Sequence, residues 1–420
     1  GYAEHWLCFA DELGTPLQLA GVTCLTLRRA IPEAGLDAHF GAQAEHLLEV
    51  LQALLRRKPQ GRILLQVVDR SGTGLLAVPL AAMLKTATLE NPLLVGQFIA
   101  LESSTTAAAQ QACLELECGA QPQEQQIRYR QGQREVLRWS HHPTSAEPAL
   151  PWKQGGTYLI TGGAGGLGLL LANEIVRRVG RVRLILTGRA ELGQSRLVAI
   201  EAMRSAGARV EYARVDVCDA GAVAALVESI CASAGPGEHL NGIIHGAGVL
   251  RDNFILRKDA AELREVLAPK VSGTLNLDLA SRGIALDFFV MLSSVAAAGG
   301  NSGQADYATA NAFMDSYAAY RNGLQRAGVG HVLGRNDAVQ APQGRSLSIN
   351  WPLWQAGGMD IDARSKELMW QHGGLVPMRT ATGIAALYQA LAGGAEQVMV
   401  LEGDTQRLSV LFGLNPGGTP

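Results

Sequence analysis

Four polar side chains in the second half of the chain have the types and the spacing needed to reduce a carbonyl group. Ser294 ends an apolar run that predicts a strand, Tyr307 follows thirteen positions later, and Asn311 follows after four more. Tyr307 and Asn311 belong to a segment of helical composition, in which residues i and i+4 share one face. Lys270 lies upstream on an earlier predicted helix. Together they are the candidate catalytic residues.

Each of the four has a definite task in such a reaction. A hydride added to a ketone makes an alkoxide, so the carbonyl oxygen needs hydrogen-bond donors and then a proton. Tyr307 would supply both, with its pKa lowered from about 10 by the nearby Lys270 cation. Ser294 would donate a second hydrogen bond, Asn311 would hold Lys270 or a relay water, and Lys270 would also bond a nicotinamide ribose. Taken singly, Ser294 could be a helix cap, Tyr307 a packing residue, and Asn311 and Lys270 solvated side chains.

A glycine-rich turn predicts where a nucleotide would bind. It lies between the apolar run 157–160 and the amphipathic segment 169–176, an order that predicts strand, turn and helix. Glycines let the backbone approach a pyrophosphate, and the helix N-terminus offers free N–H groups to the anion. An ordinary turn is the alternative. The candidate cofactor-binding residues here are Thr161, Gly162, Gly163, Gly165, Gly166, Leu167 and Gly168.

The segments after the turn predict further strands that end on nucleotide-binding groups. Arg189 follows the second strand, where an arginine can hold the 2′-phosphate that distinguishes NADPH from NADH. Glu191 lies close by, so Arg189 could instead be a solvated surface residue. Asp216 ends the third strand and could accept a hydrogen bond from the adenine amine. The other candidates along these segments are Val217, Gly246, Ala247 and Gly248, the last three small enough for a ribose to lie against the backbone.

The order of these motifs is similar to that of the short-chain dehydrogenase/reductases. In the common members of that superfamily a lysine stands four residues after the tyrosine, whereas here that position is Asn311 and the lysine is the earlier Lys270. This exchange resembles the ketoreductase domains of modular polyketide synthases. The segments 292–296, 303–311 and 348–354 also resemble that family, and 245–254 resembles synthases whose acyltransferase acts in trans.

The resemblance implies an NADPH-dependent reductase of 3-oxoacyl thioesters carried on an acyl carrier protein, with neighbouring synthase domains as partners. One alternative is a redox-silent structural or binding domain of a synthase, although silent forms usually lose the four residues or the glycine turn. Another is a reductase of a free small ketone. The sequence does not indicate the natural substrate, the module, the oligomeric state or any epimerisation of an α-substituent.

Two family marks bear on the stereochemistry of the product. The class that gives a D-configured 3-hydroxyl carries a Leu-Asp-Asp-like motif after the fourth strand, and the other class has a tryptophan eight residues before the tyrosine. Here the motif is Leu250, Arg251 and Asp252, and Gly299 stands at the tryptophan position. The resemblance therefore implies the D-configured class with Asp252 as the stereocontrol residue, unless Asp252 is only a solvated loop acid.

Size and composition limit the remaining possibilities. The chain has 420 residues, 47% hydrophobic and 18% charged, which predicts a folded protein of two or three domains. A net charge of −2 disfavours nucleic-acid binding, and no apolar run is long enough to span a membrane. Scattered cysteines with no Cys-x-x-Cys pair predict neither a metal site nor disulfides, as expected of a cytoplasmic protein. Since the first residue is Gly1, we expect a piece of a longer polypeptide.

The predicted fold class is α/β, with two Rossmann-like units. Strand-like and helix-like runs alternate in residues 1–140, which predicts a parallel sheet, but no glycine turn follows the first strand. We therefore expect this unit to be truncated, structural and without cofactor; an independent nucleotide site is the alternative. The proline-containing stretch 141–155 is expected to be a linker, and 156–415 a complete doubly wound catalytic unit. Within it, 336–345 is expected to be an exposed loop, and residues 357–359 with the helix 363–372 a lid over the nicotinamide end, with an ordinary surface helix as the alternative.

Overall fold

The structure is a computed structural model that describes residues 1–10, 17, 19–31, 34–72, 74–119, 124–235, 238–330, 340–358 and 361–414. Its strands are β1 (Glu4–Phe9), β2 (Thr23–Thr26), β3 (Ile63–Asp69), β4 (Leu94–Ala100), β5 (Gln126–Arg130), β6 (Gln133–Val136), β7 (Thr157–Thr161), β8 (Arg183–Gly188), β9 (Arg209–Arg214), β10 (Leu240–His245), β11 (Phe288–Ser294), β12 (Arg345–Trp351) and β13 (Gln397–Met399). Its helices are α1 (Leu36–Arg56), α2 (Leu80–Glu90), α3 (Ala107–Gly119), α4 (Gly166–Val179), α5 (Gln194–Ser205), α6 (Ala220–Ala232), α7 (Ala260–Ala280), α8 (Val295–Gly299), α9 (Ala305–Ala327), α10 (Ala363–Gly373), α11 (Thr380–Ala392) and α12 (Thr405–Leu411).

The strands form two sheets, and the predicted α/β class with two Rossmann-like units is confirmed. The second sheet has the order β13-β12-β11-β10-β7-β8-β9, and its neighbouring strands are parallel. The chain runs outwards from β7 to β9 and then crosses back to β10. The order therefore reverses between β7 and β10, and ligands of such sheets bind beyond the carboxyl ends of the strands at that point.

The first sheet has the order β2-β1-β3-β4-β5-β6 and is parallel except for its last pair. The sequence pattern does not indicate β5 and β6, because their outer face is polar. They form a hairpin whose turn places Gln131 and Gly132 at φ of 49° and 74°, the geometry of a tight two-residue turn. The expected absence of a cofactor from this unit stays a prediction, as do the three predicted domain boundaries.

One apolar cluster joins the two units, and each sheet also packs apolar clusters of its own. Helices α1 and α2 of the first unit lie against α7 and α9 of the second, and apolar side chains of all four helices are buried in a common cluster. Phe40 of α1 is fully buried, with its ring centre 5.0 Å from that of Phe313 on α9. The helix that carries Tyr307 and Asn311 therefore packs against helices of the first unit.

Several element boundaries differ from those predicted. Helix α2 begins at Leu80 rather than Leu75, because the preceding residues form turns and Pro79, which has no N–H, stands at the N-cap. Helix α4 begins at Gly166, inside the glycine turn, where composition alone does not indicate a helix. Residues 336–339 of the expected loop and Met359 of the expected lid lie outside the described residues.

Three further observations concern the chain as a whole. The six cysteines have free thiols. Among the described residues, no helix is both long and apolar enough to cross a bilayer. The same part of the chain contains no group of three or more histidine, cysteine or acidic side chains placed to hold a metal ion, and the lack of a metal stays a prediction.

Candidate active site

The glycine turn lies at the carboxyl end of β7, and its geometry admits only glycine at key positions. Gly162 has φ of +65°, and a Cβ there would lie 2.8 Å from the Gly246 carbonyl oxygen. A Cβ on Gly168 would lie 2.6 Å from the Gly162 carbonyl oxygen, and one on Gly163 equally close to that of Ile160. The turn is therefore as tight as a pyrophosphate cradle requires.

The first turn of α4 completes this cradle. Gly165 is the N-cap and provides no side-chain acceptor, so the first N–H groups of the helix, from Gly166 to Gly168, are available to an anion. These residues fit the pyrophosphate of a dinucleotide.

Thr161 ties the glycine turn to the segment after β10. The Thr161 hydroxyl oxygen accepts hydrogen bonds from the N–H groups of Gly246 and Ala247, at 3.2 and 3.3 Å. It lies 2.7 Å from Nδ1 of His245, whose Nε2 lies 3.0 Å from the Pro269 carbonyl oxygen. Burial lowers the pKa of His245 to about 3, so the ring is neutral and can accept at Nδ1 while donating at Nε2. Thr161 thus organises the backbone around the cradle.

The far end of the cradle, beyond β8 and β9, contains the residues expected near the adenosine. Arg189 is exposed, and no ion pair among the described residues involves it. Glu191, the neighbour for which Arg189 could have been only a surface residue, forms its ion pair with Arg214 at 3.1 Å. One carboxylate oxygen of Asp216 accepts from the Cys218 N–H at 2.9 Å, and the Cys218 thiol also forms a hydrogen bond with this carboxylate. The side chain of the adjacent residue 217 is buried against α7.

Ser294, Tyr307 and Asn311 are brought together where β11 ends and α9 begins. Ser294 is the last residue of β11 and also the N-cap of α8, with its hydroxyl accepting from the Ala296 N–H at 3.2 Å. Asn311 is fully buried and donates from Nδ2 to the Tyr307 carbonyl oxygen at 2.7 Å. Its Oδ1 has no hydrogen-bond donor among the described residues. This buried acceptor is suited to a water or an ammonium group.

Lys270 reaches the same place from α7. Its side chain is buried, and its Nζ donates to the Leu292 carbonyl oxygen at 3.2 Å. The ammonium group lies 5.7 Å from the centre of the Tyr307 ring. Gly248 makes room for it, since a Cβ there would lie 3.0 Å from the lysine Cε. Burial lowers the pKa of Lys270 to about 8, and attraction to Asp315 opposes that shift.

The expected lowering of the Tyr307 pKa by Lys270 is wrong for this arrangement. Burial raises the pKa of Tyr307, while hydrogen bonds with Ser294 and Asn311 act in the opposite direction. The ammonium group lies over the ring, 5.7 Å from its centre, and is not among the groups that shift this pKa. A neutral Tyr307 is nevertheless the form that can donate a proton.

A buried polar network behind Ser294 was not predicted. Asp315 accepts from the Asn350 side chain at 2.8 Å and from the Ser348 hydroxyl at 2.5 Å. Asn350 also donates to the Ser293 hydroxyl and to the Ser294 carbonyl oxygen, both at 3.0 Å. Burial raises the pKa of Asp315 to about 6. The helical period could have indicated Asp315, since it stands four residues after Asn311 and eight after Tyr307.

Asp252 lies at the mouth of the site. Gln304, three residues before Tyr307, donates to both Asp252 carboxylate oxygens, at 3.1 and 3.0 Å. The Asp252 charge is near enough to contribute to the raised pKa of Tyr307. Arg251, the residue that departs from the family motif, instead forms a bidentate ion pair with Glu265 on α7. Asp252 is thus hydrogen-bonded to Gln304 and faces the site.

The Rossmann sheet with a glycine turn at its switch point defines an oxidoreductase of the short-chain dehydrogenase/reductase type. Residues 156–356 match the model of the KR domain family. Polyketide synthase PksN of Bacillus subtilis (strain 168) is 42% identical over 409 residues, which are 96% of this chain and 7% of that protein. PksL of the same organism is 40% identical over 377 residues, 89% of this chain and 8% of that protein.

A solved structure gives the same result over the whole length. The crystal structure of a ketoreductase domain from the bacillaene assembly line is 36% identical with a TM-score of 0.88, covering 98% of this chain and 95% of that one. The chain belongs to the family of ketoreductase domains of polyketide synthases. Domains of this family use nicotinamide cofactors.

Proposed function

We propose that this domain reduces a 3-oxoacyl thioester on an acyl carrier protein to the 3-hydroxyacyl thioester, with NADPH as reductant. The observation that carries the proposal is the convergence of Lys270, Ser294, Tyr307 and Asn311 beside the glycine turn. The cofactor, when bound, supplies the hydride. The Tyr307 hydroxyl gives its proton to the carbonyl oxygen, and the Ser294 hydroxyl donates a hydrogen bond to the same oxygen.

The other two residues serve to position these groups and to return the proton. Lys270 binds the nicotinamide ribose through its ammonium group, which is held in place by the Leu292 carbonyl oxygen. The Oδ1 of Asn311, which no donor among the described residues reaches, accepts from a relay water or from Lys270, so that the phenol of Tyr307 can be reprotonated. Both side chains are buried, so bulk water is excluded from them.

NADPH rather than NADH is proposed because of Arg189. A guanidinium at the end of β8 that forms no ion pair within the described part of the chain suits a 2′-phosphate, where an acid would suit a free hydroxyl. Arg214 at the end of β9 is a second arginine on this side, although Glu191 already neutralises it. Asp216 would accept from the adenine amine, and the small residues Gly246 to Gly248 would contact a ribose.

The proposed product is D-configured, with Asp252 controlling on which side of the groove the carrier arm lies. Its two hydrogen bonds with Gln304 support this role, because they fix the carboxylate at the mouth of the site. Gly299 stands at the family's tryptophan position, and a Cβ added there would meet no described atom within 4 Å, so that side of the groove is open.

The partners proposed are the carrier protein and neighbouring synthase domains, in the cytoplasm, with no nucleic acid or membrane. The chain spans less than a tenth of either synthase named above, 7% and 8%, so these partners lie outside it. We likewise propose that the acyltransferase of the synthase acts in trans. The units 1–140, 141–155 and 156–415 would act as structural unit, linker and catalytic unit.

The test is NADPH consumption with a short 3-oxoacyl thioester, compared with the same ketone as a free acid. We expect consumption with the thioester and little with the acid. Equal rates would favour a reductase of free ketones, and no consumption with either would favour a redox-silent domain. A Tyr320→Phe variant is the matched control, because it removes a phenol hydroxyl from the same helix outside the four proposed residues and should reduce the thioester normally.

A further inference from the structure

Glu90, the last residue of α2 in the first unit, reaches into the second unit and binds two of its loops. One carboxylate oxygen accepts from the Ile255 N–H at 2.8 Å, and the other accepts from the Gly303 N–H at 2.9 Å. Ile255 belongs to the Asp252 loop, defined here as residues 250–258 between β10 and α7. Gly303 belongs to the Gln304 turn, defined as residues 300–304 between α8 and α9.

These two segments carry the pair of side chains at the mouth of the site. Gln304 donates to both oxygens of Asp252, and the Asn253 N–H donates to the Gly303 carbonyl oxygen at 2.8 Å. Glu90 therefore bridges the Asp252 loop and the Gln304 turn directly behind the point where they meet. A buried ion pair between Lys258 of the Asp252 loop and Asp306, two residues after Gln304, also joins this region at 2.7 Å, so loss of the Glu90 bridge would loosen the register of the two segments rather than separate them.

Neighbouring residues of the first unit hold the same two segments. Gln52 of α1 donates to the carbonyl oxygens of Ile255 and Lys258, at 2.8 and 2.6 Å. The Thr86 hydroxyl accepts from the Asn301 N–H at 3.2 Å. A Cβ on residue 300 would lie 2.7 Å from the Thr86 N, so the turn and α2 are in close contact. The first unit thus holds both segments in place through hydrogen bonds and close contacts.

A carboxylate suits the position of Glu90 in a way that its amide does not. Both of its partners are N–H donors, and a carboxylate can accept from the two at once. A glutamine has only one acceptor oxygen, so its NH₂ group would face one of the two N–H groups. Hydrogen bonds to an ionised acceptor are also stronger than those to a neutral one.

We propose that Glu90 is a positioning residue through which the first unit takes part in stereocontrol, by holding the Asp252 loop and the Gln304 turn in register. This inference rests on the proposed function, because it requires Asp252 and Gln304 to border the path of the substrate. It assigns to the first unit an effect on the product, in addition to its support of the shared core.

The test measures the ratio of the two 3-hydroxy stereoisomers made from a 3-oxoacyl thioester by the full chain. Glu90→Gln and Glu90→Asp are compared with Glu45→Gln, the matched control. Glu45 also joins the two units, through an ion pair with Arg264 at 2.7 Å, but on the exposed surface of α1 and α7. Chiral chromatography gives the ratio, and titration with NADPH gives the cofactor affinity.

We expect Glu90→Gln to lower the ratio of major to minor stereoisomer by a factor of about ten, the equivalent of about 1.4 kcal/mol. Glu90→Asp, whose shorter side chain cannot reach both N–H groups, should lower it in the same direction. NADPH affinity should not change in either, and Glu45→Gln should keep the wild-type ratio. A wild-type ratio in both Glu90 variants would overturn the inference alone, whereas a wild-type chain that makes no product would overturn the proposed function as well.

Discussion

The Nζ of Lys270 lies 5.7 Å from the centre of the Tyr307 ring, above its face, and donates to the Leu292 carbonyl oxygen at 3.2 Å. The ammonium group is buried with a pKa of about 8, and Asp315 is the charge that raises that pKa against burial. The pKa of Asp315 is about 6, so this carboxyl is ionised at neutral pH. The protonation state of Lys270 therefore depends on Asp315, although no hydrogen bond joins these two side chains among the described residues.

The first prediction concerns the pH dependence of reduction. Lys270 is charged below its pKa, so kcat/KM should fall as pH rises through about 8. In Asp315→Asn the attraction is removed, the pKa of Lys270 falls further, and the decline should begin at lower pH. A pH profile of kcat/KM in both proteins checks this. An identical alkaline limb in Asp315→Asn would show that the carboxylate does not support the Lys270 cation.

The second prediction concerns the choice of cofactor. Arg189→Ala should weaken NADPH binding by about 2 kcal/mol, the cost of a charge-assisted hydrogen bond, and leave NADH binding nearly unchanged. Equilibrium titration with each cofactor measures both affinities. Arg128→Ala is the control, since it removes an exposed arginine from the first sheet. Equal losses of both cofactors in Arg189→Ala would count against contact with the 2′-phosphate.

Much of this site could be predicted from the sequence because its chemistry depends on local spacing. The interval between Tyr307 and Asn311 places both on one helix face, and the glycine turn needs only its own residues. The Asp315 and Asn350 network joins α9 to β12, so no local pattern connects its members. The raised pKa of Tyr307 depends on burial and on the nearby Asp252 charge, which the spacing of the motif does not determine.

In the fold, too, features set by local patterns could be predicted from the sequence, whereas contacts between distant residues could not. Apolar runs of β3 and β7 predict buried strands, whereas the hairpin of β5 and β6 exposes charged residues such as Arg128 and Glu135 and gives no such signal. The contact of Phe40 with Phe313 brings together residues that are distant in the sequence. That contact required the three-dimensional structure.

The third prediction concerns stereochemistry. The domain should give predominantly the D-configured 3-hydroxyacyl product, and Asp252→Ala should lower that preference while NADPH binding is retained. The reason is that the carboxylate held by Gln304 borders the proposed path of the carrier arm. Chiral chromatography of the product checks both statements. A predominantly L-configured product from the wild-type chain would contradict the assignment.

The fourth prediction concerns the first unit. A piece lacking residues 1–140 should be poorly soluble, because the faces of α7 and α9 that lie against α1 and α2 would become exposed. In the full chain, Phe40→Ala should lower the free energy of unfolding by about 3–5 kcal/mol. Denaturant unfolding measures this, with Leu89→Ala as the control, since that side chain is 54% exposed.

A comparison of the shortened piece with the full chain could instead show that the first unit is dispensable. A shortened piece that stays soluble, unfolds at the same denaturant concentration as the full chain and keeps full activity would contradict the prediction. The first unit should in addition bind no nucleotide, which titration of the full chain can check by its stoichiometry: one NADPH per chain is expected, and two would indicate a second site.

The central claim is that Tyr307 gives the proton to the reduced carbonyl in a site that binds the cofactor independently of it. The most direct measurement is a single-turnover reduction of a 3-oxoacyl thioester by Tyr307→Phe, alongside its NADPH affinity. We expect the rate to fall by at least about 10²-fold, the contribution of one general acid, with NADPH binding nearly unchanged. Turnover at the wild-type rate in Tyr307→Phe would contradict the mechanism.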